Sequence, residues 1–173
     1  PKNIVTEFME NQSQNHRMEG SKNFGLKLLW WGYIALHFFG LIGIIWPYTR
    51  YVFIPLSPLT ILVGFFLLWK WVLPELRIWL VFLSAAGFLI EVVGVKTGNI
   101  FGAYYYQTAL GPKVLEVPPI IGLNWAILVV CSSAMIPASW NKIVRALFSG
   151  GLMVGLDAFI EPNCCTMDFW CWN

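Results

Sequence analysis

The sequence predicts an all-α, polytopic transmembrane helix bundle with at least five spans, and three observations carry that expectation. Hydrophobic residues make up 58% of the chain and charged residues 12%, against about 45–50% and about 25% in soluble domains. A chain of 173 residues leaves much of its surface exposed when folded, so water could not hide that much apolar side chain. The apolar residues fall into five stretches near the ~20 residues needed to cross a bilayer core, with Trp and Pro at their ends. This composition excludes an ordinary soluble enzyme, a disordered chain and a collagen. A net charge of +2 is too small to suggest a nucleic acid partner, and four Cys without a repeated metal spacing make a disulfide scaffold a poor fit.

Pro1 rather than Met opens the chain, so a trimmed start is expected. Residues 1–25 form a polar segment with no signal-peptide core. Ile4, Val5, Phe8 and Met9 have the spacing of a short interfacial helix, and disorder fits that segment equally well. The transmembrane domain is expected over 26–173. Its first span is Leu26–Trp46, with Trp30, Trp31 and Trp46 as interfacial anchors. The second is Ile54–Leu73, entered through Pro55 and Pro58. The third is Leu76–Val95, joined so closely to the second that the two should form a hairpin. The fourth is Pro118–Ile136, stopped by Pro137. The fifth is Ile143–Glu161, stopped by Pro162, because a residue before proline avoids helical geometry.

With the N-terminus cytoplasmic, that side holds Lys2, Arg17, Lys22, Lys27, Lys70, Arg77, Lys142 and Arg145, against Arg50, Lys96 and Lys113 on the other. The imbalance favours this orientation. The outer face then collects the ends of spans three and five and the long loop between spans three and four, with its Tyr104-Tyr105-Tyr106 run and Glu116-Val-Pro-Pro119. A site is expected there. Ionisable residues within spans are candidates for function: Glu91 lies about one turn inside its helix, and Asp157 and Glu161 are four apart on one helix face, roughly 5–6 Å from each other. Two carboxyls so close in a low dielectric do not both ionise easily, and a protonated carboxyl beside an ionised one is an acid next to a base. The plainer alternative, of about equal weight, is that both pair with Lys96 or Lys113 or cap backbone.

Other residues read more simply. His37 suits a packed, hydrogen-bonded role better than a ligand's. Cys164, Cys165 and Cys171 have no His-rich neighbour to make a zinc site, and free thiols are favoured over a Cys165–Cys171 bridge. Trp125 serves equally as an interface anchor or a pocket wall, the three tyrosines most commonly form an aromatic belt, and Gly150, Gly151 and Gly155 suit a close helix contact.

Glu91, Thr97-Gly98, Phe101-Gly102, Tyr104, Tyr106, Gly111, Val117-Pro118 and Trp125 together resemble the signature of the membrane carotenoid biosynthesis family. Asp157-Ala-Phe-Ile-Glu161-Pro162 with Trp170-Cys-Trp172 resembles its acidic-Pro and Trp-x-Trp stretch. The resemblance runs from about Leu76 to the end. The family's characterised members are carotenoid 1,2-hydratases, acting on γ-carotene-type ends or bisanhydrobacterioruberin-type precursors. They continue past Trp-x-Trp with further membrane helix, so a truncation after Asn173 and a shortened relative are both open. Cys164-Cys165 departs from the small apolar residues expected there.

The resemblance implies cofactor-independent addition of water to the terminal C1=C2 double bond of an acyclic ψ end group. Asp157, Glu161 and Glu91 would be the catalytic carboxyls. Phe101, Tyr104, Tyr106, Asn124, Trp125 and Trp170 would bind a carotenoid arriving from the bilayer, with membrane lipid as the other partner and room for association with other carotenoid enzymes. The implied location is a bacterial or archaeal plasma membrane. A carotenoid end-group cyclase would use the same acids, and a non-catalytic carotenoid-binding subunit would need only the aromatics. A transporter would place polar residues at the midplane of several spans, which this sequence does not.

Overall fold

The computed structural model describes Gly25 and residues 27–173. The choice between interfacial helix and disorder for the polar segment therefore lies outside the described residues. The chain divides into two compact units, residues 1–39 and 40–173. The first described helix, α1, is Lys27–Ile45. Within the first unit His37 Nδ1 lies 3.0 Å from the Tyr33 carbonyl, and its ring meets Tyr33 edge-on with centroids 4.2 Å apart. That bond is local to one helix, in keeping with a satisfied histidine.

The second unit holds α2 (Arg50–Phe53) and α3 (Ser57–Trp71). A 3₁₀ turn, Ile54–Leu56, joins them into one 22-residue run. The expected start at Ile54 was too late. Pro55 and Pro58 do not open this helix; they are absorbed inside it, because each falls at the first turn of a new segment, where a missing N–H breaks no bond. A second 3₁₀ turn, Pro74–Leu76, leads into α4 (Arg77–Thr97). Arg77 Nε donates to the Trp69 carbonyl at 3.1 Å and its guanidinium stacks over the Trp69 ring, fixing this short connection. Gly98, left-handed at φ 64°, ends α4 with its N–H on the Gly94 carbonyl.

Next come the cap strand β1 (Tyr104–Tyr106), then α5 (Ile120–Ala134), α6 (Lys142–Cys164) and β2 (Trp170–Trp172). Among the described residues four helical runs are long and apolar enough to cross a membrane, and α5 is a shorter apolar helix. The secondary structure and the spans give an all-α polytopic architecture. The expected fourth span, Pro118–Ile136, is thus shortened at both ends. Fifteen residues rise only about 22 Å, less than the ~30 Å hydrocarbon core. The fifth span is longer than expected, since α6 runs through Pro162 to Cys164 rather than stopping at Glu161. Proline's preference against a helical predecessor is outweighed by the turn that follows, which is tied by Cys164 Sγ to the Ile160 carbonyl and by Phe169 N–H to the Cys164 carbonyl.

The short α5 is the central element. It packs on α3, α4 and α6, while α3 and α4 make few contacts with each other. The expected hairpin is therefore splayed, with α5 between its arms. Two glycines make this possible. A Cβ at Gly122 would sit 2.4 Å from the Ser84 carbonyl oxygen, and one at Gly87 would sit 2.4 Å from Trp125 Cβ. By contrast, nothing lies within 4 Å of a Cβ at Gly150, Gly151 or Gly155, so the helix contact expected at those three is absent among the described residues. The outward faces are apolar: Leu147, Val154 and Phe159 on α6 and Ile78 and Trp79 on α4 are mostly exposed. That is unfavourable in water and natural in lipid.

The tightest core lies at the cap end. Val92, Tyr104, Tyr106, Leu110, Val117 and Ile121 form one buried cluster. Val114 and Val117 exchange both backbone hydrogen bonds around Leu115 and Glu116, which have φ of 52° and 72°. Positive φ at both central residues is the geometry of a tight hairpin turn, and a leucine there is strained. The turn delivers Val117 and Pro118, both fully buried, to the start of α5. Cys165 and Cys171 are disulfide-bonded, which corrects the expectation of free thiols; Cys164 alone of the three stays free. Pairing of β1 with β2 supplies the reason, because it holds Cys171 beside the end of α6.

Gly122→Ala should destabilise the protein by about 1–3 kcal/mol, the usual range for overpacking, since the obstructing atom is backbone. Gly150→Ala should be close to neutral. Thermal unfolding of both variants in one detergent checks this.

Candidate functional site

The site is built around Glu91, one of few buried polar residues at 8% exposure. It lies on α4, two turns before the helix ends at Thr97. The chain then doubles back so that β1 crosses over it. Alternation along a strand sends Tyr104 and Tyr106 to one face and Tyr105 to the other, and the burial of these three follows that pattern. Tyr104 donates its hydroxyl to Glu91 Oε2 at 2.5 Å and Tyr106 donates to the same oxygen at 2.8 Å. From α5, Trp125 Nε1 donates to Oε1 at 2.8 Å. Three donors from two further elements therefore converge on one carboxyl, the arrangement an acceptor-only carboxylate satisfies.

β2 lies antiparallel to β1, with Tyr104 opposite Trp172, Tyr105 opposite Cys171 and Tyr106 opposite Trp170. Directly opposed residues share a face, so two tyrosines and two tryptophans form one aromatic layer. The ring centroids are 5.4 Å apart for Tyr104 and Trp172 and 6.3 Å for Tyr106 and Trp170. The layer is held from behind by the Cys165–Cys171 bond and by Asp168, whose carboxylate accepts from the Thr108 backbone and hydroxyl. Gln107 adds a bond to the Cys165 carbonyl at 3.1 Å.

Under this layer is a cavity of about 280 Å³. Glu91, Phe101, Tyr104, Tyr106, Asn124, Trp125, Asp157 and Trp170 all line it, so eight of the nine residues singled out in the sequence come together. Glu161 does not: it lies a turn beyond Asp157 on α6 and is not part of the lining. Of the acidic pair expected from spacing only Asp157 faces the cavity, and Glu91 joins it there from another helix. The expected pairing with Lys113 does not occur either, since Lys113 donates to the Tyr106 carbonyl.

A profile of the family described as carotenoid biosynthesis protein matches residues 52–173. The chain belongs to that family. Comparison with curated proteins and with solved structures finds no match. The family match starts at Val52, well before the Leu76 at which the resemblance began, so it takes in α3 as well as the cap and the cavity.

Within this carotenoid biosynthesis protein, the cavity also has walls beyond the expected site residues. Trp172 completes the aromatic layer, and Leu128 of α5 with Met153 and Ile160 of α6 supply aliphatic surface. Trp172 was legible in principle, since Tyr-x-Tyr and Trp-x-Trp both carry the period of two expected for paired strands. The aliphatic wall carries no such mark. Burial, and then the neighbouring Glu91, push the Tyr104 and Tyr106 hydroxyls far above the ordinary phenol range, so both remain donors.

That shift has a definite sign. Both phenols are raised in the fold, so their contribution to stability is complete below the ordinary pKa of 10.0 and is lost as pH rises above it. In an alkaline absorbance titration, two tyrosines should stay un-ionised well beyond pH 10 and ionise only as the protein unfolds. The Tyr104→Phe, Tyr106→Phe double variant should lose that late phase.

Proposed function

We propose that the protein is a carotenoid 1,2-hydratase that adds water to the C1=C2 double bond of an acyclic ψ end group. The observation that carries this reading is that Glu91 and Asp157 share one cavity whose other walls, Asn124 apart, are apolar or aromatic. Their environments differ. Glu91 is engaged by three donors, whereas Asp157 has no hydrogen-bond partner among the described residues. Asp157 is thus the group free to hand over a proton, and Glu91 is the fixed one.

In the proposed reaction Asp157 protonates C2, and the π electrons leave a tertiary cation at C1. The carboxylate of Glu91 and the π faces of Tyr104, Tyr106, Trp125 and Trp170 stabilise that cation, each ring by up to about 2 kcal/mol when desolvated. Among the described residues Glu91 Oε1 accepts only from Trp125, and its spare lone pair suits a water. Oxygen of that water bonds to C1, and the proton it releases returns to the carboxylate left on Asp157. Atoms and charge balance, and the scheme asks for no redox step. The cavity is at the lower edge of the ~300–1,000 Å³ of small-molecule sites. It suits an end group, with the remainder of the polyene left in the bilayer.

The family and the apolar helices support a substrate that is carried in the membrane. The placement of a disulfide at the cap end fits an oxidising compartment there, which agrees with the lysine and arginine count in favouring a cytoplasmic N-terminus in a bacterial or archaeal plasma membrane. Association with other carotenoid enzymes would pass such insoluble intermediates along.

Expression in hosts that accumulate ψ-ended carotenoids, with mass analysis in ¹⁸O-labelled water, tests the reaction. The expected product is the 1-hydroxy-1,2-dihydro carotenoid carrying labelled oxygen. Asp157→Asn should lower the rate about 10²–10⁴-fold, the usual loss for a proton-transfer group, and Glu161→Gln much less. A cyclised product without added oxygen would make the protein a cyclase, and unchanged pigment across several ψ-ended substrates would make it a binding subunit. Full activity in Asp157→Asn would remove the proposed proton donor.

A further inference from the structure

A second cavity, of about 630 Å³, lies between the start of the α2–α3 helix and the cap. It shares no lining residue with the Glu91 cavity. Its polar groups are unusual. Arg50 contributes a guanidinium whose Nε is buried and has no hydrogen-bond partner among the described residues. The nearest compensation is the Tyr51 ring, 5.6 Å away. A ring face attracts charge but accepts no directed N–H bond well, and no hydrogen bond among the described residues engages the two Nη groups, so they remain open for an acceptor. Asp168 lies in the same cavity. Thr108 occupies one of its oxygens, through backbone and hydroxyl, and no bond links it to Arg50.

One cation and one anion thus face a common space without neutralising each other. Among the described residues the lining carries no net charge, since Arg50 and Asp168 are its only charged members. A simple anion would meet Arg50 but be opposed by Asp168, and a simple cation would meet the reverse. A molecule carrying both charges satisfies both. The other walls include Ile54, Pro55 and Pro58, which are apolar and belong to a helix long enough to cross a membrane. Arg50 is the first residue of that helix, which sets the cavity at the level of lipid headgroups. Guanidinium forks match phosphate oxygens.

We propose that this cavity binds a zwitterionic aminoalkyl phosphate, with phosphoryl oxygens on Arg50 and the ammonium on Asp168, as in a phosphoethanolamine lipid headgroup. The assignment is independent of the hydration reading. It would make a bilayer lipid a fixed wedge between the helix and the cap.

The test uses the full chain, stripped of lipid in detergent, with retained lipid counted by native mass spectrometry. Phosphatidylethanolamine should be retained over phosphatidylglycerol by at least about tenfold, the ratio expected for one charge-assisted pairing. Arg50→Gln should abolish retention. If that variant does not fold, Arg50→Lys keeps the charge without the fork, and its retention should fall severalfold at unchanged melting temperature. Asp168→Asn should reverse the preference towards phosphatidylglycerol; asparagine tolerates the left-handed backbone at φ 59° and keeps an acceptor for Thr108. Soluble phosphoethanolamine separates the sources. Competition at millimolar concentration would assign a soluble ligand to the site, and failure to compete would assign the lipid. Equal retention of the two lipids, undiminished retention in Arg50→Lys, or inorganic phosphate competing as well as phosphoethanolamine would overturn the proposal.

Discussion

A buried carboxyl that takes hydrogen bonds from three directions is the constraint on which the rest of this protein depends. Glu91 is nearly inaccessible, and an unpaired buried charge destabilises a fold by several kcal/mol. Hydrogen bonds to a charged group return about 1.5–3 kcal/mol each, so Tyr104, Tyr106 and Trp125 are all needed to keep the group where it is. Each of those bonds imposes a structural demand. The tyrosines require β1 to lie across α4, and the tryptophan requires α5 to approach so closely that Gly87 can carry no side chain. The same contacts that stabilise the cap therefore define the cavity, and the carboxyl cannot be moved without loosening three elements.

This explains why the central helix is the short one. Shortened to fifteen residues, α5 leaves room for the Val114–Val117 turn and the two strands to pack over its first turn. Irregular backbone packed among membrane helices is tolerated where protein buries it, and here Val117, Pro118 and Leu110 are buried. The longer apolar helices are left to face lipid. Their exposed Leu, Ile, Phe and Trp are a consequence of the solvent rather than of poor packing.

The all-α, membrane-spanning class was legible in the sequence because hydrophobic length is a property of single segments. So was the gathering of Glu91, Phe101, Tyr104, Tyr106, Asn124, Trp125 and Trp170, since one membrane face had to receive them all. What the sequence hid depended on pairing between distant segments. Spacing placed Glu161 beside Asp157, yet a helix face four residues long does not say which end of it meets a cavity. Proline rules suggested an entry at Pro55 and a stop at Pro162, but local propensity yields where a 3₁₀ turn or tertiary bonds accommodate the proline. The Cys165–Cys171 bond follows from strand pairing, which six residues of separation cannot reveal.

The proposed chemistry turns on how much water the cavity admits. Protonation of an end-group double bond leaves the same cation whether water or an internal carbon captures it, so the acid alone does not decide the outcome. The decision rests with whatever holds a water against C1. A fully satisfied Glu91 would repel that role, because a carboxylate with all its acceptor sites filled has nothing to offer a second donor. Its two oxygens are loaded unequally: Oε2 takes both tyrosines, and Oε1 takes Trp125 alone. The free acceptor position is thus on the Trp125 side, where Asn124 also lines the cavity and can orient a water as donor or acceptor. On this reading the tyrosines fix the carboxylate and Asn124 with Trp125 directs its remaining lone pair, so that capture by water becomes faster than ring closure.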